Sequence, residues 1–382
     1  MRISFLLFLS FLFAFPCLFL KTTRSIPQNR YDSIFSFGDS LSDTGNLLIA
    51  NPLSSVIIGK FPYGETFGRP TGRSSDGRLI VDFIAEEFGI PLLRPYLALH
   101  FSSGNGHDFR LGANFAVAGA TALDAKFFYD NNIGLHLVTK LSLNIQIGWF
   151  KEFKTSRCNT TLDCADYLGK SLFLVGEIGY NDYNYAFLSH LTVKQVRTFV
   201  PQIVEVIATA NRVLIEEGAV DLVVPGIVPL GCAPAYLTLF PSPNIEDYDP
   251  RTGCLIAFNE LAQYHNVLLK NALQNLRLKY PRAKIIYADY YGAILTLVHS
   301  PQLFGFQNGA ITACCGGGGP YNYNQLIVCG GVGSKLCDDP STYVSWDGIH
   351  LTEAAYQFIA TGLIKGGLAA FTSSPPFHTL LH

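Results

Sequence analysis

Charge is scarce in this sequence. Asp, Glu, Lys and Arg make up 15% of the 382 residues, and the formal net charge is -2. A chain with so little charge and no excess of one sign gives no electrostatic reason to expect a nucleic acid or an anionic membrane surface as its partner. Hydrophobic residues reach 49%, which indicates a globular protein with a large core.

Two motifs that would identify a bound metal or nucleotide are also missing. The cysteines include no C-x-x-C pair, the spacing typical of structural zinc sites, so we expect no metal. Residues 314–320 contain consecutive glycines, but no Lys-Ser/Thr follows them. Because a phosphate loop needs that Lys and hydroxyl, a loop held by its cysteines is the better interpretation, and no cofactor is expected.

The first 20 residues form a long apolar run with one Arg near its start. We interpret residues 1–25 as a secretory signal peptide whose cleavage site the sequence does not define. The alternative is a retained membrane anchor, because the run approaches the shortest length that spans a bilayer. After removal of the signal we expect a secreted protein, in the apoplast or the vacuole, with no membrane partner.

Eight cysteines remain beyond the signal peptide, and an even number in a secreted chain favours disulfides over free thiols. Sequence proximity favours the pairs Cys158–Cys164 and Cys232–Cys254. The other four could pair in more than one way: Cys314, Cys315, Cys329 and Cys337. Asn159 begins an N-x-Ser/Thr sequon beside Cys158, which predicts an exposed loop that carries a glycan.

Strand-like and helix-like segments alternate along the chain. Short runs rich in β-branched or aromatic residues predict five strands, at residues 33–37, 114–118, 172–175, 219–224 and 284–287. Apolar residues at helical spacing predict helices over residues 79–88, 193–217 and 255–280, and residues 41–50 can also form one. This alternation predicts an α/β fold with a parallel sheet. We expect residues 26–382 to form a single domain, because no linker or repeat divides them.

Ser40 lies just beyond the first predicted strand, in the stretch FSFGDSLSDTGN. If a helix follows it, the Ser40 N–H is an unpaired donor at a helix N-terminus, where negative charge is favoured. This placement suits a nucleophile whose product is an oxyanion. Taken alone, however, the Asp39-Ser40 pair is better explained as a helix cap.

Three distant segments supply partners for such a nucleophile. Asp347 and His350 are three residues apart, so in a turn the carboxylate can bind Nδ1 of the ring and leave Nε2 free to accept a proton. Gly119 offers a backbone N–H after a predicted strand, and Asn181 offers a side-chain amide after the next. Preorganised donors of this kind stabilise an oxyanion. Each alone has a simpler reading: a loop ion pair, a tight turn and an Asx cap.

Together these segments resemble a known family. FGDSLSD, Gly119, the GxND of residues 179–182 and the DxxH of residues 347–350 occur in the order of the four blocks of the SGNH hydrolases. They are most similar to the plant GDSL esterase/lipases, and stretches such as NFAVAGAT and VPLGCAPAYLT extend the resemblance over nearly the whole mature chain. The block GEIGYNDYN is most similar to the sinapine esterase and acetylajmalan esterase branch.

The resemblance implies a role for each residue. It implies Ser40 as nucleophile, His350 as general base and Asp347 as the carboxylate that orients it. The oxyanion donors would be the Ser40 N–H, the Gly119 N–H and the Asn181 amide. It also implies a flavodoxin-like three-layer α/β/α sandwich with about five parallel strands. The G-x-S-x-G elbow of the α/β-hydrolases, the most common rival fold, is absent.

Within this family we expect a secreted, cofactor-free carboxylesterase that acts on a small-molecule ester. The branch points to acetyl or aromatic-acyl esters of a plant specialised metabolite, with an acetylated alkaloid as the best single example. The alternatives are an acyltransferase, a lipase for longer acyl chains, and a binding or storage protein with an inactive site. Tyr180 stands where relatives commonly have a small residue, so we hypothesise that its ring narrows the substrate pocket.

Overall fold

The computed structural model describes residues 30–53, 57–101, 109–157 and 160–368. Five strands in this part of the chain form one parallel sheet, in the order β2-β1-β3-β4-β5. The strands are β1 (Ser33–Phe37), β2 (Gly112–Asn114), β3 (Ser171–Val175), β4 (Asp221–Pro225) and β5 (Lys284–Ala288). The parallel sheet predicted from the sequence is confirmed, and β1 lies between β2 and β3 inside it.

Helices connect and flank these strands. They are α1 (Asn46–Ala50), α2 (Ile80–Glu87), α3 (Ala125–Asp130), α4 (Leu143–Arg157), α5 (Thr161–Gly169), α6 (Tyr180–Leu188), α7 (Val193–Arg197), α8 (Val200–Glu217), α9 (Pro234–Leu239), α10 (Ile256–Lys279), α11 (Tyr290–His299) and α12 (Glu353–Leu363). Helix α8 packs against α4 and α10, whereas α12 packs against α2 and α11. Every residue of β1, β3 and β4 is buried. The sheet is therefore covered on both faces, as in an α/β/α sandwich.

Aromatic rings hold β1 in the core. Phe35 is fully buried and makes edge contacts with Phe150 and Phe153 of α4, with ring centroids 5.4 and 5.7 Å apart. Phe37 stacks on Phe115 at 5.1 Å. Such aromatic pairs add about 0.5–1.5 kcal/mol each beyond the apolar area that they bury. The end of β1 is thus a rigid point from which the next residues project.

The helix predicted over residues 193–217 is two helices. Helix α7 ends at Arg197, and α8 begins at Val200 with a proline in its first turn. Pro201 has no N–H to donate to the carbonyl of Arg197, so a continuous helix cannot pass through this point. By length and composition alone, Val193–Glu217 is apolar enough to cross a membrane. Its buried residues pack against α4 and α10, and core helices pass the same test.

The second strand lies earlier than the sequence predicts. It covers Gly112–Asn114, whereas the prediction was residues 114–118. Phe115 and Val117 still donate N–H hydrogen bonds to the carbonyls of Ser36 and Gly38 (2.7 and 3.1 Å). The chain therefore continues beside β1 after the strand ends, which explains why its apolar residues read as a strand.

Three disulfides lie within the described residues. Cys232 pairs with Cys254, as predicted, and the pairs left open by the sequence are Cys314–Cys337 and Cys315–Cys329. The last two close the loop that follows residue 313, and their cysteines pack against Trp346. The predicted signal peptide, Cys158 and the sequon residue Asn159 lie outside the described residues.

Candidate active site

Ser40 lies in a turn directly after β1. Gly38 begins this turn with φ +129°, which favours glycine, and a Cβ at this position would lie 2.8 Å from the carbonyl oxygen of Glu177. Gln146 of α4 both accepts from the Gly38 N–H and donates to its carbonyl, at 2.9 and 2.8 Å. The turn is therefore held from two sides, and Ser40 has a defined position beyond the strand end.

The predicted helix over residues 41–50 is wrong in its first half. Asp43 accepts hydrogen bonds from the N–H groups of Gly45, Asn46 and Leu47, at 2.6 to 2.9 Å, and α1 begins only at Asn46. The Ser40 N–H consequently belongs to a turn rather than to a helix N-terminus. It donates no hydrogen bond to any group in the described part of the chain, so it remains available to a ligand.

Asp347 and His350 face each other in the loop before α12. Nδ1 of His350 lies 2.7 Å from Oδ2 of Asp347. The second carboxylate oxygen accepts the backbone N–H groups of Ile349 and His350, at 3.0 and 2.8 Å. Because the carboxylate accepts a hydrogen bond from Nδ1–H and so keeps that proton on Nδ1, Nε2 of the neutral ring is left as the proton acceptor.

The two side chains of this pair stabilise each other's charge. Burial alone would raise the pKa of Asp347, but the charge of His350 and its hydrogen bonds outweigh burial and lower that pKa to about 2. Burial by itself lowers the pKa of His350. The charge and hydrogen bond of Asp347 prevail, with help from the charge of Asp39, and the pKa of His350 is raised above its ordinary value.

Tyr63 is a partner of Asp347 that our sequence reasoning missed. Its hydroxyl donates to Oδ2 of Asp347 at 2.7 Å, and its ring packs edge-on against the buried Trp346. The tyrosine lies in the stretch PYGETF, which is one of the segments similar to the plant esterases. No local pattern could have paired it with a residue 284 positions away.

Ser40 and His350 line the same cavity, which has a volume of about 290 Å³. Its wall is mostly apolar and aromatic, with Leu47, Val138, Phe187, Tyr236, Phe240 and Tyr323 among its residues. No Asp, Glu, Lys or Arg of the described residues contributes to that wall. The cavity therefore places a nucleophile and a base beside a mainly apolar wall.

Gly119 lines the cavity beside Ser40. It takes φ +79°, and a Cβ here would lie 2.8 Å from Cβ of Val138, so a larger residue would be strained and crowded. Its carbonyl accepts the hydroxyl of Tyr185 at 2.8 Å. Its N–H, like that of Ser40, has no acceptor among the described residues. The cavity thus has two unused backbone donors, as an oxyanion site requires.

Asn181 lines the cavity from the start of α6. Its Nδ2 donates to Oδ2 of Asp39 and to the carbonyl of Ala120, each at 3.0 Å. Its Oδ1 lies 3.4 Å from Nδ2 of Asn184. Both amide protons therefore already have acceptors, a feature that the sequence pattern did not reveal.

Tyr180 does not line this cavity, which corrects the direct contact that we hypothesised. Its side chain is 2% exposed and packs edge-on against Tyr236 with ring centroids 6.0 Å apart. Tyr236 is the residue that reaches the cavity wall. Gly179 precedes α6 with φ 113°, and the side chain of Tyr180 lies in the core behind Tyr236 rather than at the cavity surface.

The described residues contain no group of three or more His, Cys, Asp or Glu side chains placed to hold a metal ion.

Comparison with known proteins gives a consistent family. A sequence model of the GDSL-like Lipase/Acylhydrolase family matches residues 34–363. The chain is 50% identical over 371 residues to GDSL esterase/lipase At5g45910 of Arabidopsis thaliana, covering 96% of this chain and 98% of that protein. It is 46% identical over 369 residues to GDSL esterase/lipase At1g28600 of the same plant, covering 96% and 91%.

The family match includes all of the sheet except Ser33 and every residue of the site described above. The chain belongs to the GDSL-like lipase/acylhydrolase family and is a carboxylic ester hydrolase.

Proposed function

We propose that this protein cleaves esters through an acyl-enzyme on Ser40. The observation that carries the proposal is the meeting in one cavity of Ser40, the Asp347–His350 pair and two backbone N–H groups without acceptors. A serine nucleophile needs a base with an orienting partner and donors for the oxyanion, and this arrangement offers each of them.

The reaction follows from these positions. Oγ of Ser40 attacks the ester carbonyl while Nε2 of His350 takes its proton, and Asp347 stabilises the imidazolium that forms. The N–H groups of Ser40 and Gly119 hold the oxyanion. Asn181 shares one of its amide protons with the oxyanion in addition to its present acceptors. His350 then protonates the departing alcohol, and a water molecule activated by the same ring releases the acid.

The cavity bears on the acyl group. One water molecule needs a cavity of roughly 10–15 Å³. A cavity of about 290 Å³ is many times larger, so it has room for an acyl group larger than acetyl. Its aromatic wall offers surfaces on which a planar acyl group can stack. Among the substrates that the branch resemblance suggests, we therefore propose an aromatic-acyl ester of a plant specialised metabolite ahead of an acetyl ester.

An alkaloid remains our example for the alcohol part. The described wall has no carboxylate but contains the aromatic rings of Tyr236, Phe240 and Tyr323, and aromatic rings attract cations such as a cationic alcohol. We further propose that residues 26–382 act as one domain secreted after removal of residues 1–25. The three disulfides are typical of proteins that mature in the secretory pathway.

A panel of p-nitrophenyl esters tests this proposal. We expect kcat/KM to be higher for cinnamoyl and benzoyl esters than for the acetate, and Ser40→Ala to abolish turnover of all of them while the thermal unfolding temperature stays close to wild type. A maximum at long aliphatic chains would indicate the lipase alternative. Transfer of the acyl group to an added alcohol in preference to water would indicate the acyltransferase. Retained activity in Ser40→Ala would contradict the mechanism.

A further inference from the structure

Four carboxyl groups are buried around the turn that carries Ser40. Asp39, Asp43 and Glu177 are 0% exposed, and Asp182 is 1% exposed. None of them is the orienting carboxylate of the mechanism. A buried carboxylate is costly unless hydrogen-bond donors or cations compensate its charge, so the partners of each group decide which of the four carries a proton.

Three of the four have donors. Asp43 accepts N–H groups of its own turn and that of Ala118, at 2.8 Å, and Asp182 accepts those of Ala122 and Leu123 at 2.8 and 3.0 Å. Asp39 accepts the Leu41 N–H through Oδ1 and the Asn181 amide through Oδ2, each at 3.0 Å. These bonds favour the ionised form of each group, although burial still raises all three pKa values, that of Asp182 to about 7.

Glu177 differs from the other three. Neither of its carboxyl oxygens has a partner that meets hydrogen-bond geometry among the described residues, and the backbone N–H of Tyr180 only partly offsets the effect of burial on its pKa. Its backbone carbonyl accepts the N–H of Asp39 at 3.1 Å, so the two fully buried residues are neighbours, and their side chains influence each other's charge. Two buried carboxyls in contact cannot both be ionised, because the second charge meets the first with little solvent between them.

The proton therefore belongs on Glu177. Burial and the neighbouring charge of Asp39 raise the pKa of Glu177 well above its ordinary value. Burial also raises the pKa of Asp39, to about 6, while the hydrogen bond from Glu177 lowers it. The ionisable groups that interact with this pair are Asp43, Asp182, His350, Tyr180, Tyr183, Tyr185, Tyr236, Tyr290 and Tyr356.

We propose that Glu177 is a positioning residue that remains protonated and donates its O–H to the carboxylate of Asp39. Asp39 in turn holds the amide of Asn181 and places a single negative charge near His350. Glu177 thus acts on the oxyanion site and on the base through Asp39, without touching the substrate. The catalytic consequence rests on the proposed function of Ser40; the protonation of Glu177 does not.

Infrared spectroscopy tests the proton without reference to activity. The difference spectrum of wild type minus Glu177→Gln at neutral pH should contain the carbonyl band of a protonated carboxylic acid. Glutamine has the same shape and keeps an N–H donor for Asp39, so this variant should fold. If the difference spectrum instead contains only carboxylate bands, Glu177 is ionised and the proposal is overturned, whether or not Ser40 proves to be the nucleophile.

Kinetics test the positioning role. We expect Glu177→Gln to retain most of the wild-type kcat, and Glu177→Ala to lose about 10-fold or more, the factor associated with a hydrogen bond to a charged group. At alkaline pH wild type should lose activity as Glu177 ionises beside Asp39, whereas Glu177→Gln should not. Equal kcat in all three proteins, or equal loss in both variants, would overturn the proposal. If Glu177→Ala does not fold, the comparison of wild type with Glu177→Gln at alkaline pH tests the proposal, and an equal loss of activity in the two proteins would overturn it.

Discussion

Asp347 and Glu177 are two acids of one active site that differ in charge: Asp347 is an ionised carboxylate, whereas Glu177 is a neutral carboxylic acid. Asp347 receives two backbone N–H groups, the Tyr63 hydroxyl and the imidazole of His350, and its pKa falls to about 2. Glu177 receives no well-formed hydrogen bond among the described residues, and its pKa rises well above the ordinary value. Burial is common to both, so the partners decide the protonation state.

The difference matches what each side of the site has to do. The loop before α12 must carry a fixed negative charge, because it has to stabilise an imidazolium during the reaction. The turn after β1 must tolerate a new negative charge on the oxyanion, so a second ionised carboxylate next to Asp39 would oppose catalysis. A carboxyl group thus serves as a fixed negative charge at Asp347 and as a neutral hydrogen-bond donor at Glu177, depending on its neighbours.

The largest expected effect comes from removing the charged acid. Asp347→Asn should lower kcat by about 10⁴-fold, because the amide no longer fixes the tautomer or stabilises the imidazolium. Steady-state kinetics at several pH values measure this, with Ser40→Ala as the background. A loss of less than about 10-fold, small against the drop usual for such a carboxylate, would mean that Asp347 does not act through His350.

The next largest effect is expected at Asn181, whose side-chain amide donates to Asp39. Asn181→Ala should lower kcat by about 10²–10³-fold with little change in KM, as is typical for loss of one oxyanion donor. Asn184→Ala is the matched control, since Asn184 lines the same cavity but bonds other groups: its Nδ2 lies 3.4 Å from Oδ1 of Asn181, and its Oδ1 accepts the hydroxyl of Tyr236 at 2.6 Å. Similar losses in both variants would show that Asn181 matters for packing rather than for the oxyanion.

A smaller effect is expected at Tyr63. Tyr63→Phe removes one of four hydrogen bonds to Asp347 and keeps the ring against Trp346. One hydrogen bond contributes about 0.5–1.5 kcal/mol, so kcat should fall by roughly 2- to 10-fold. Unchanged kcat would show that the other three donors suffice to hold the carboxylate.

The smallest effect is a shift in pH dependence. His350 must be neutral to accept a proton, so kcat/KM should rise with pH through a pKa above the ordinary value of 6.5. The Asp39 charge contributes to that raised pKa, and Asp39→Asn should therefore move the acid limb to lower pH. A pH series of kcat/KM for both proteins measures the shift. Movement to higher pH would contradict the coupling between Asp39 and His350.

The sheet and the contact between Asp347 and His350 could be predicted because they depend on local patterns, whereas the roles assigned to Ser40, Asp347 and His350 came from the resemblance of several distant segments to one family. Ser40 follows a strand, the Asp347–His350 spacing is that of a turn, and five apolar runs alternate with helices. The sequence also contained the signal for the break at Pro201, because proline cannot continue a helix, although we predicted one helix over residues 193–217. The shift of β2 was not, because the apolar residues after Asn114 continue beside β1 without forming a strand.

Other features depend on contacts that no local pattern encodes. Tyr63 reaches Asp347 across 284 positions, and Glu177 meets Asp39 only because β1 and β3 pair in parallel. The direction of Tyr180 depends on the backbone at Gly179. In each case residue type alone suggested a polar or aromatic role, and three-dimensional placement decided which one.

The most direct test of the account is to trap the acyl-enzyme. The protein is mixed with p-nitrophenyl cinnamate, quenched in acid during turnover, digested and analysed by mass spectrometry. We predict one cinnamoyl group on the peptide that contains Ser40 in wild type. In His350→Ala we expect a higher occupancy of this group, because loss of the base slows deacylation more than it slows acylation by the activated ester. Steady release of cinnamate with no acyl group on Ser40 in either protein would contradict the central claim.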